Sequence, residues 1–375
     1  MKYTATCLFG LEGLLGREID ALGYKRCETI DGRVTFEGDE SAAPRANLNL
    51  RFAERVYINM GTFPCTTFDA LFEGARSLPW EEFISKDDAF PVSGHCIKSK
   101  LFSVPDCQKI VKKAVARRLG GKYGLETLPE TQTVYKIEFF IFKDSASLMI
   151  DTSGTALHKR GYRPETVSAP LRETLAAALA SLARPRENVL FCDPFCGSGT
   201  IAIEAAMIMK NIAPGINRSF AAELFPAFSE KLWREAREEA RANEVSTDFR
   251  ASAGDIDPEC VRIAEEAARR AGVADTVSVR CADALKLTSD GVRGTVVTNP
   301  PYGERLMTPE AVRGLYADMG KCFRSLEPWQ IYVLTPAEDF ERLYGRRADK
   351  IRKLYNGMIP CLFYQFFKPQ SKASR

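Results

Sequence analysis

From Pro164 onward, short β-branched and apolar runs alternate with helical stretches, and this alternation constrains the fold more than any other feature of the chain. The runs are Val189 to Cys192, Phe249 to Gly254, Val277 to Cys281, Thr295 to Thr298 and Gln330 to Leu334. Strands separated by helices cannot close as tight hairpins, so they must lie parallel in one sheet with the helices as crossovers. The last pair, Lys350 to Tyr355 and Cys361 to Phe367, is separated by Asn356-Gly357 and Pro360, which predicts a hairpin at the sheet edge. The expected class is therefore α/β with a Rossmann-like sheet.

Upstream of Arg163 the pattern mixes rather than alternates. Residues 1–65 read as a small α+β unit, with Tyr3 to Phe9 extended, Leu11 to Leu22 amphipathic and stopped by Gly23, Arg33 to Glu37 as strand, Asn47 to Glu54 as helix and Val56 to Thr62 as strand. Residues 66–163 repeat the mixture without repeating the sequence. They hold a helix over Phe68 to Arg76, an extended stretch ending at Ile97, a helix from near Asp106, and a hairpin of Thr133 to Phe142 with Ser147 to Asp151. A chain of 375 residues is too long for one ordinary domain, and we divide it at 1–65, 66–163 and 164–375.

The helix near Asp106 is basic. Between Lys98 and Lys122 eight Lys or Arg face the single acid Asp106, against a net charge of only +3 for the whole chain. Cys107, Ile110, Val111, Ala114 and Val115 form its apolar stripe, while Lys109, Lys112, Lys113, Arg117 and Arg118 are the candidates to meet phosphate. An ordinary solvated face accounts for the same charge run. Hydrophobic residues at 45% and charged residues at 27% match a globular chain. No leader-like segment or membrane-length apolar run occurs, so a cytoplasmic protein is expected. Eleven Cys without a Cys-x-x-Cys pair and two His argue against a disulfide framework or a metal site.

The first strand after Pro164 runs into Asp193-Pro194-Phe195-Cys196-Gly197-Ser198-Gly199-Thr200 and then an Ala-rich helix. Gly197 and Gly199 let the backbone pass beneath a ligand, and the helix start offers free N–H groups. Asp193, Phe195, Ser198 and Thr200 complete that turn, although a tight strand-to-helix connection needs no ligand at all. Asp255 and Asp257 end the second strand, where a carboxylate can accept hydrogen bonds from a ribose. Asp283 and Ala284 follow the third, where an adenine amino group could be met. Any one of these acids could instead cap a helix or face solvent. Gly199 and Asp257 are 58 residues apart, against about 20 in a dinucleotide fingerprint. Pro214 to Ser246 is therefore read as an insertion built on a helix from Ser229 to Asn243.

Asn299-Pro300-Pro301-Tyr302 follows the fourth strand. An exocyclic amine on a base is a poor nucleophile because its lone pair is delocalised into the ring. The Asn299 side-chain oxygen and the Pro300 carbonyl can each accept one amine hydrogen, and the prolines hold these acceptors rigidly. Tyr302 offers a face for a base turned out of its helix. A proline-rich turn with a packed tyrosine is the bland alternative.

These motifs resemble the amino-methyltransferase branch of S-adenosylmethionine-dependent enzymes over Pro164 to Lys368. Residues Thr166 to Thr174 resemble that family's extra motif, which implies that Pro170 and Arg172 line the cofactor pocket. Residues 66–163 resemble a THUMP domain preceded by a ferredoxin-like domain, and the combination is similar to bacterial RlmL/YcbY-type 23S rRNA guanine-N2 methyltransferases. The resemblance implies S-adenosyl-L-methionine as cofactor, RNA as partner and guanine N2 of 23S rRNA as target. N6 of adenine, in DNA or RNA, and a catalytically silent RNA-binding assembly factor are the alternatives.

Overall fold

The structure, a computed structural model, describes residues 1–163, 171–289, 291–302 and 308–367. It contains two compact units. One comprises Met1–Cys7, Leu15–Leu157 and Ser219–Glu239; the other comprises Leu8–Leu14, His158–Arg218 and the chain from Ala240.

The first unit is built on one seven-stranded sheet. In chain order its elements are β1 (Lys2–Cys7), α1 (Glu12–Ala21, which runs into this unit), β2 (Lys25–Ile30), β3 (Arg33–Glu37), α2 (Ala42–Asn49), β4 (Ala53–Pro64), α3 (Phe68–Ser77), β5 (Val92–Ile97), α4 (Val104–Tyr123), β6 (Ile137–Phe142) and β7 (Ser145–Asp151). The strand order is β2-β3-β1-β4-β7-β6-β5. The 12-residue β4 pairs with β1 along its first half and with β7 along most of its length. The sheet is therefore continuous between the ferredoxin-like and THUMP-like segments. Lys143 and Asp144, both at positive φ, close the β6–β7 hairpin, one residue pair tighter than the expected four-residue turn.

Two expectations fail here. Strand β2 was not anticipated, because its residues Lys25–Ile30 are almost all exposed and show no alternation. The helix expected over Asn47 to Glu54 is α2, Ala42–Asn49. The chain turns at Arg51 and Phe52 because the Glu18 carboxylate accepts both of their backbone N–H groups, at 3.0 and 3.1 Å. A local sequence window contains no trace of that distant acceptor.

The second unit holds α5 (Glu173–Ala183), β8 (Leu190–Asp193), α6 (Thr200–Met209), then α7 (Glu230–Ala242), which begins in the first unit, β9 (Ala251–Asp255), α8 (Pro258–Arg270), β10 (Val277–Cys281), β11 (Gly294–Thr298), α9 (Pro309–Arg324), β12 (Gln330–Thr335), α10 (Phe340–Tyr344), β13 (Lys350–Asn356) and β14 (Ile359–Phe366). Its sheet runs β10-β9-β8-β11-β12-β14-β13. The first five are parallel, β14 enters antiparallel to β12, and β13 forms the edge. Helix α6 associates with both α5 and α8. Alternate strand residues Cys192, Val296, Ile331 and Val333 share a core with Tyr316, Met319 and Phe323 of α9 and with Phe340 and Tyr344 of α10. Pro258 and Pro309 start α8 and α9 at a position where a missing N–H costs nothing, and Asp257 and Thr308 cap them.

The insertion is real, and it belongs to the first unit from Ser219 to Glu239. Phe225 stacks on Tyr135 with ring centroids 4.1 Å apart, and Phe220 stacks on Trp233 of α7 at 5.2 Å. The Ala221 and Ala222 N–H groups bond to the carbonyls of Ser153 and Thr152. Arg45 forks onto Glu239 at 2.7 and 2.8 Å. Among the described residues no helix is long and apolar enough to cross a membrane.

Candidate active site

The order of the second sheet reverses between β8 and β11, and the C-terminal edge on either side of that point is where an open parallel sheet binds ligands. The glycine turn, the acids after β9 and β10, and Asn299 arrive there. The turn after β8 carries Gly197 and Gly199 at φ +49° and +75°, and Gly199 caps α6. A Cβ at Gly197 would meet nothing within 4 Å, so the backbone there faces open space; one at Gly199 would meet Ala264 of α8 at 3.0 Å. Glycine serves exposure at the first position and helix packing at the second. Ser198 and Thr200 are buried, their hydroxyls 3.1 Å apart.

The acids divide by what they hold. Asp193 is 1% exposed; its Oδ1 accepts the Thr298 hydroxyl at 2.7 Å and the Phe195 N–H at 3.4 Å. Burial lifts its carboxyl to about 7 despite the Thr298 bond. Asp255 accepts the Gly197 N–H at 2.9 Å and the Asp257 N–H at 3.0 Å. These two carboxylates brace the glycine turn from below. Asp257 and Asp283 instead sit beyond their strands, each with one oxygen capping the next helical turn through Glu259 N–H and Leu285 N–H. Asp283 and Ala284, with Pro194 and Gly254, line a cavity of about 320 Å³ at this edge.

On the other side of the switch point, Thr298 hands the chain to Asn299. The Asn299 Oδ1 is buried and has no hydrogen-bond partner among the described residues. Pro300 is buried and Pro301 half-buried. The Tyr302 hydroxyl accepts a hydrogen bond from Asn356 Nδ2 at 2.7 Å, at the end of β13. Burial pushes this phenol up to about 12, so it stays protonated at neutral pH and is no base.

Behind the glycine turn lies a buried polar cluster built around Tyr162 and Arg163. Tyr162 donates to Glu204 of α6 at 3.0 Å, and Arg160 pairs with the same carboxylate at 3.4 Å. Arg163 donates to Thr200 Oγ1 at 2.8 Å and to the Leu171 carbonyl at 2.7 Å. Tyr162 is 3% exposed, so this segment anchors α6 rather than presenting a surface. Arg172 is half-buried just before α5, and Pro170 lies outside the described residues.

The five basic candidates belong to α4 in the first unit. Lys109, Lys113 and Arg117 are exposed. Lys112 is instead tied to Glu130 and sits 3.6 Å from the centre of the Phe90 ring, while Arg118 forks onto Glu81 at 2.6 and 2.9 Å. Two of the five candidates are thus engaged in ion pairs within the unit, and three are exposed. The residues that sequence reasoning missed are Thr298, Asn356 and Glu204. Asn356 carried a signal only as a turn former, and a buried Glu in an Ala-rich helix was the one available hint of Glu204.

A 3-2-1-4-5-7-6 sheet with a glycine turn after its first strand and Asn-Pro-Pro-Tyr after its fourth defines a Rossmann-like class I methyltransferase fold. The family model of the RMKL-like methyltransferase domain matches residues 160–365, that of the RlmL ferredoxin-like domain 2–57, and that of the THUMP domain 65–151. The chain belongs to this RMKL-like methyltransferase family. It is 45% identical to the Bacillus subtilis protein named "Putative RNA methyltransferase YpsC", over 99% of this chain and 98% of that one. It also matches the structure of a "predicted N6-adenine-specific DNA methylase" from Listeria monocytogenes, at 46% identity and TM-score 0.90 over 98% and 96% of the two chains. SMU.472, solved in complex with SAH, matches at 40% identity and TM-score 0.90 over 99% of both.

Proposed function

We propose that this protein is a cytoplasmic enzyme that methylates an exocyclic amine of an RNA base with S-adenosyl-L-methionine, the base being guanine, at N2, in 23S rRNA. The observation that carries the reading is the Asn299 Oδ1: a buried acceptor with no partner among the described residues, at the switch point of a methyltransferase sheet, suits an N–H donor from a ligand. The cofactor fits the rest of the edge. Gly197 leaves room above the turn, the second carboxylate oxygens of Asp257 and Asp283 make long contacts with Cys260 Sγ at 3.7 Å and Lys286 Nζ at 3.8 Å that a ligand donor can displace, and the cavity beside Asp283 suits a flat ring. Pro170, Arg172, Phe195 and Ala284 complete the proposed pocket. S-adenosylmethionine supplies an electrophilic methyl group.

The protein's share is positioning. Asn299 Oδ1 and the Pro300 carbonyl accept the two amine hydrogens, which turns the nitrogen lone pair away from the ring. Tyr302, pinned by Asn356, offers its ring face to the base. Residues 1–65 form a ferredoxin-like domain, 66–163 supply RNA binding and 164–375 the chemistry; phosphate contacts from α4 give affinity and little base choice. The choice of guanine N2 is supported by the resemblance to RlmL-type enzymes, and the choice of RNA by the THUMP match and the YpsC name.

The test is transfer of labelled methyl to unmodified 23S rRNA with nucleoside analysis. N2-methylguanosine, abolished by Asn299→Ala with cofactor binding intact, is the expected result. N6-methyladenosine would overturn the base, and no transfer to any RNA would overturn the function.

A further inference from the structure

The β13–β14 hairpin ends in a two-residue turn, Gly357-Met358, closed by the pair Asn356 and Ile359. Gly357 has φ +64° and Met358 is not among the positive-φ residues, the pattern of a II′ turn. Such a turn suits a polar second residue, yet Met358 is 94% exposed and Ile359 is 47% exposed. Phe9, 51% exposed, lies edge-on to Tyr355 at 5.9 Å, one strand pair behind the turn. From Lys350 to Phe367 the hairpin carries Lys350, Arg352 and Lys353 and no acid. An apolar point on a basic stem suits a polyanion whose interior is apolar, and that combination describes stacked nucleic acid. The tip is also joined to the site: Asn356, which closes the turn, donates the 2.7 Å bond to Tyr302.

We propose that Met358, with Ile359 beside it, is a wedge that enters the RNA base stack and occupies the gap left by the base turned out onto Tyr302. The inference rests on the RNA methyltransferase reading. Unstacking a base is costly, and an apolar side chain that fills the vacated step offsets part of that cost. Lys350 and Lys353, both exposed, hold the backbone beside the gap. The occupant is folded RNA; on single strands the wedge has little to displace.

Two measurements test it. The native tryptophans Trp80, Trp233 and Trp329 are all buried, at 0%, 4% and 8% exposure. An indole introduced by Met358→Trp is therefore the one that iodide reaches in the free protein. With the folded 23S rRNA transcript as probe, stacking should quench its emission and shield it from iodide; an indole still open to iodide at saturating RNA overturns the wedge. In the second, Met358→Ser with Ile359→Ser should lower the ratio of methyl transfer on folded transcript to transfer on short single-stranded fragments of the same RNA by at least about tenfold. An unchanged ratio overturns the proposal. The indole reading needs no turnover, so a chain that methylates no RNA fails on function alone while the wedge is still decided.

Discussion

The Thr298 hydroxyl donates to Asp193 Oδ1 at 2.7 Å, tying together the ends of the two strands that flank the switch point. One of these strands leads into the glycine turn and the other into Asn299, so this buried bond extends the β8–β11 pairing to the point where the two halves of the site begin. Thr298→Val would leave the Asp193 carboxyl with only the long Phe195 contact. We expect a loss of about 1–3 kcal/mol in stability and slower methyl transfer at saturating cofactor, with Thr298→Ser restoring both. Thermal melts and single-turnover transfer decide it; an unaltered rate in the valine variant would show that the tie is not used for positioning.

The same carboxyl makes stability depend on pH. Its pKa is raised to about 7 in the folded protein by burial, above its ordinary value when unfolded. The folded state therefore holds the extra proton, and the sign follows: the contribution is fully present below the unfolded pKa, near 4, and is lost as pH rises through about 7. Asp193→Asn removes this slope. Melting curves between pH 5 and 8, in about half-unit steps, should show the wild-type chain losing up to a few kcal/mol relative to the variant. Parallel curves would refute the buried titration.

On the basic helix, replacement of Lys109, Lys113 and Arg117 by Ala should weaken RNA binding and reduce the slope of log affinity against log salt by about 2–3. Lys112→Ala and Arg118→Ala should act differently, lowering the melting temperature of the chain because each removes a partner from Glu130 or Glu81. A filter-binding series at several salt concentrations separates the two groups, and equal slopes across all five would make the paired cations RNA ligands after all.

The legibility of the sequence follows range. The strands of the second sheet and the caps at Asp257 and Asp283 depend on neighbours a few residues away, and they were readable. So was the position of Asn299 directly after a strand, since it follows Thr295 to Thr298 without a break. What could not be read depends on distant partners: the end of α2 set by Glu18, the engagement of Lys112 by Glu130, and the inward turn of Asp193 toward Thr298, 105 residues later. Strand β2 was hidden for another reason, since an exposed edge strand needs no apolar alternation.

Phe225 offers a test of the insertion. It is 1% exposed and stacked on Tyr135, which lies 90 residues earlier in the chain. Phe225→Ala should cost about 3–5 kcal/mol, read as a fall in the denaturant midpoint, while the affinity for S-adenosylmethionine well below that midpoint changes by less than about twofold. Tight coupling of the two would mean that the insertion shapes the cofactor pocket.

The path of the chain between the two units has a consequence for ancestry and for engineering alike. Leu8–Leu14 belongs with the later residues and Ser219–Glu239 with the earlier ones, so no single cut yields two self-sufficient halves. A fragment begun after Arg163 would carry Phe225 without Tyr135, and a fragment ended there would keep Tyr135 without Phe225. Modules joined end to end can be exchanged by one recombination event; these are stitched, and a swapped partner would have to bring its own thread.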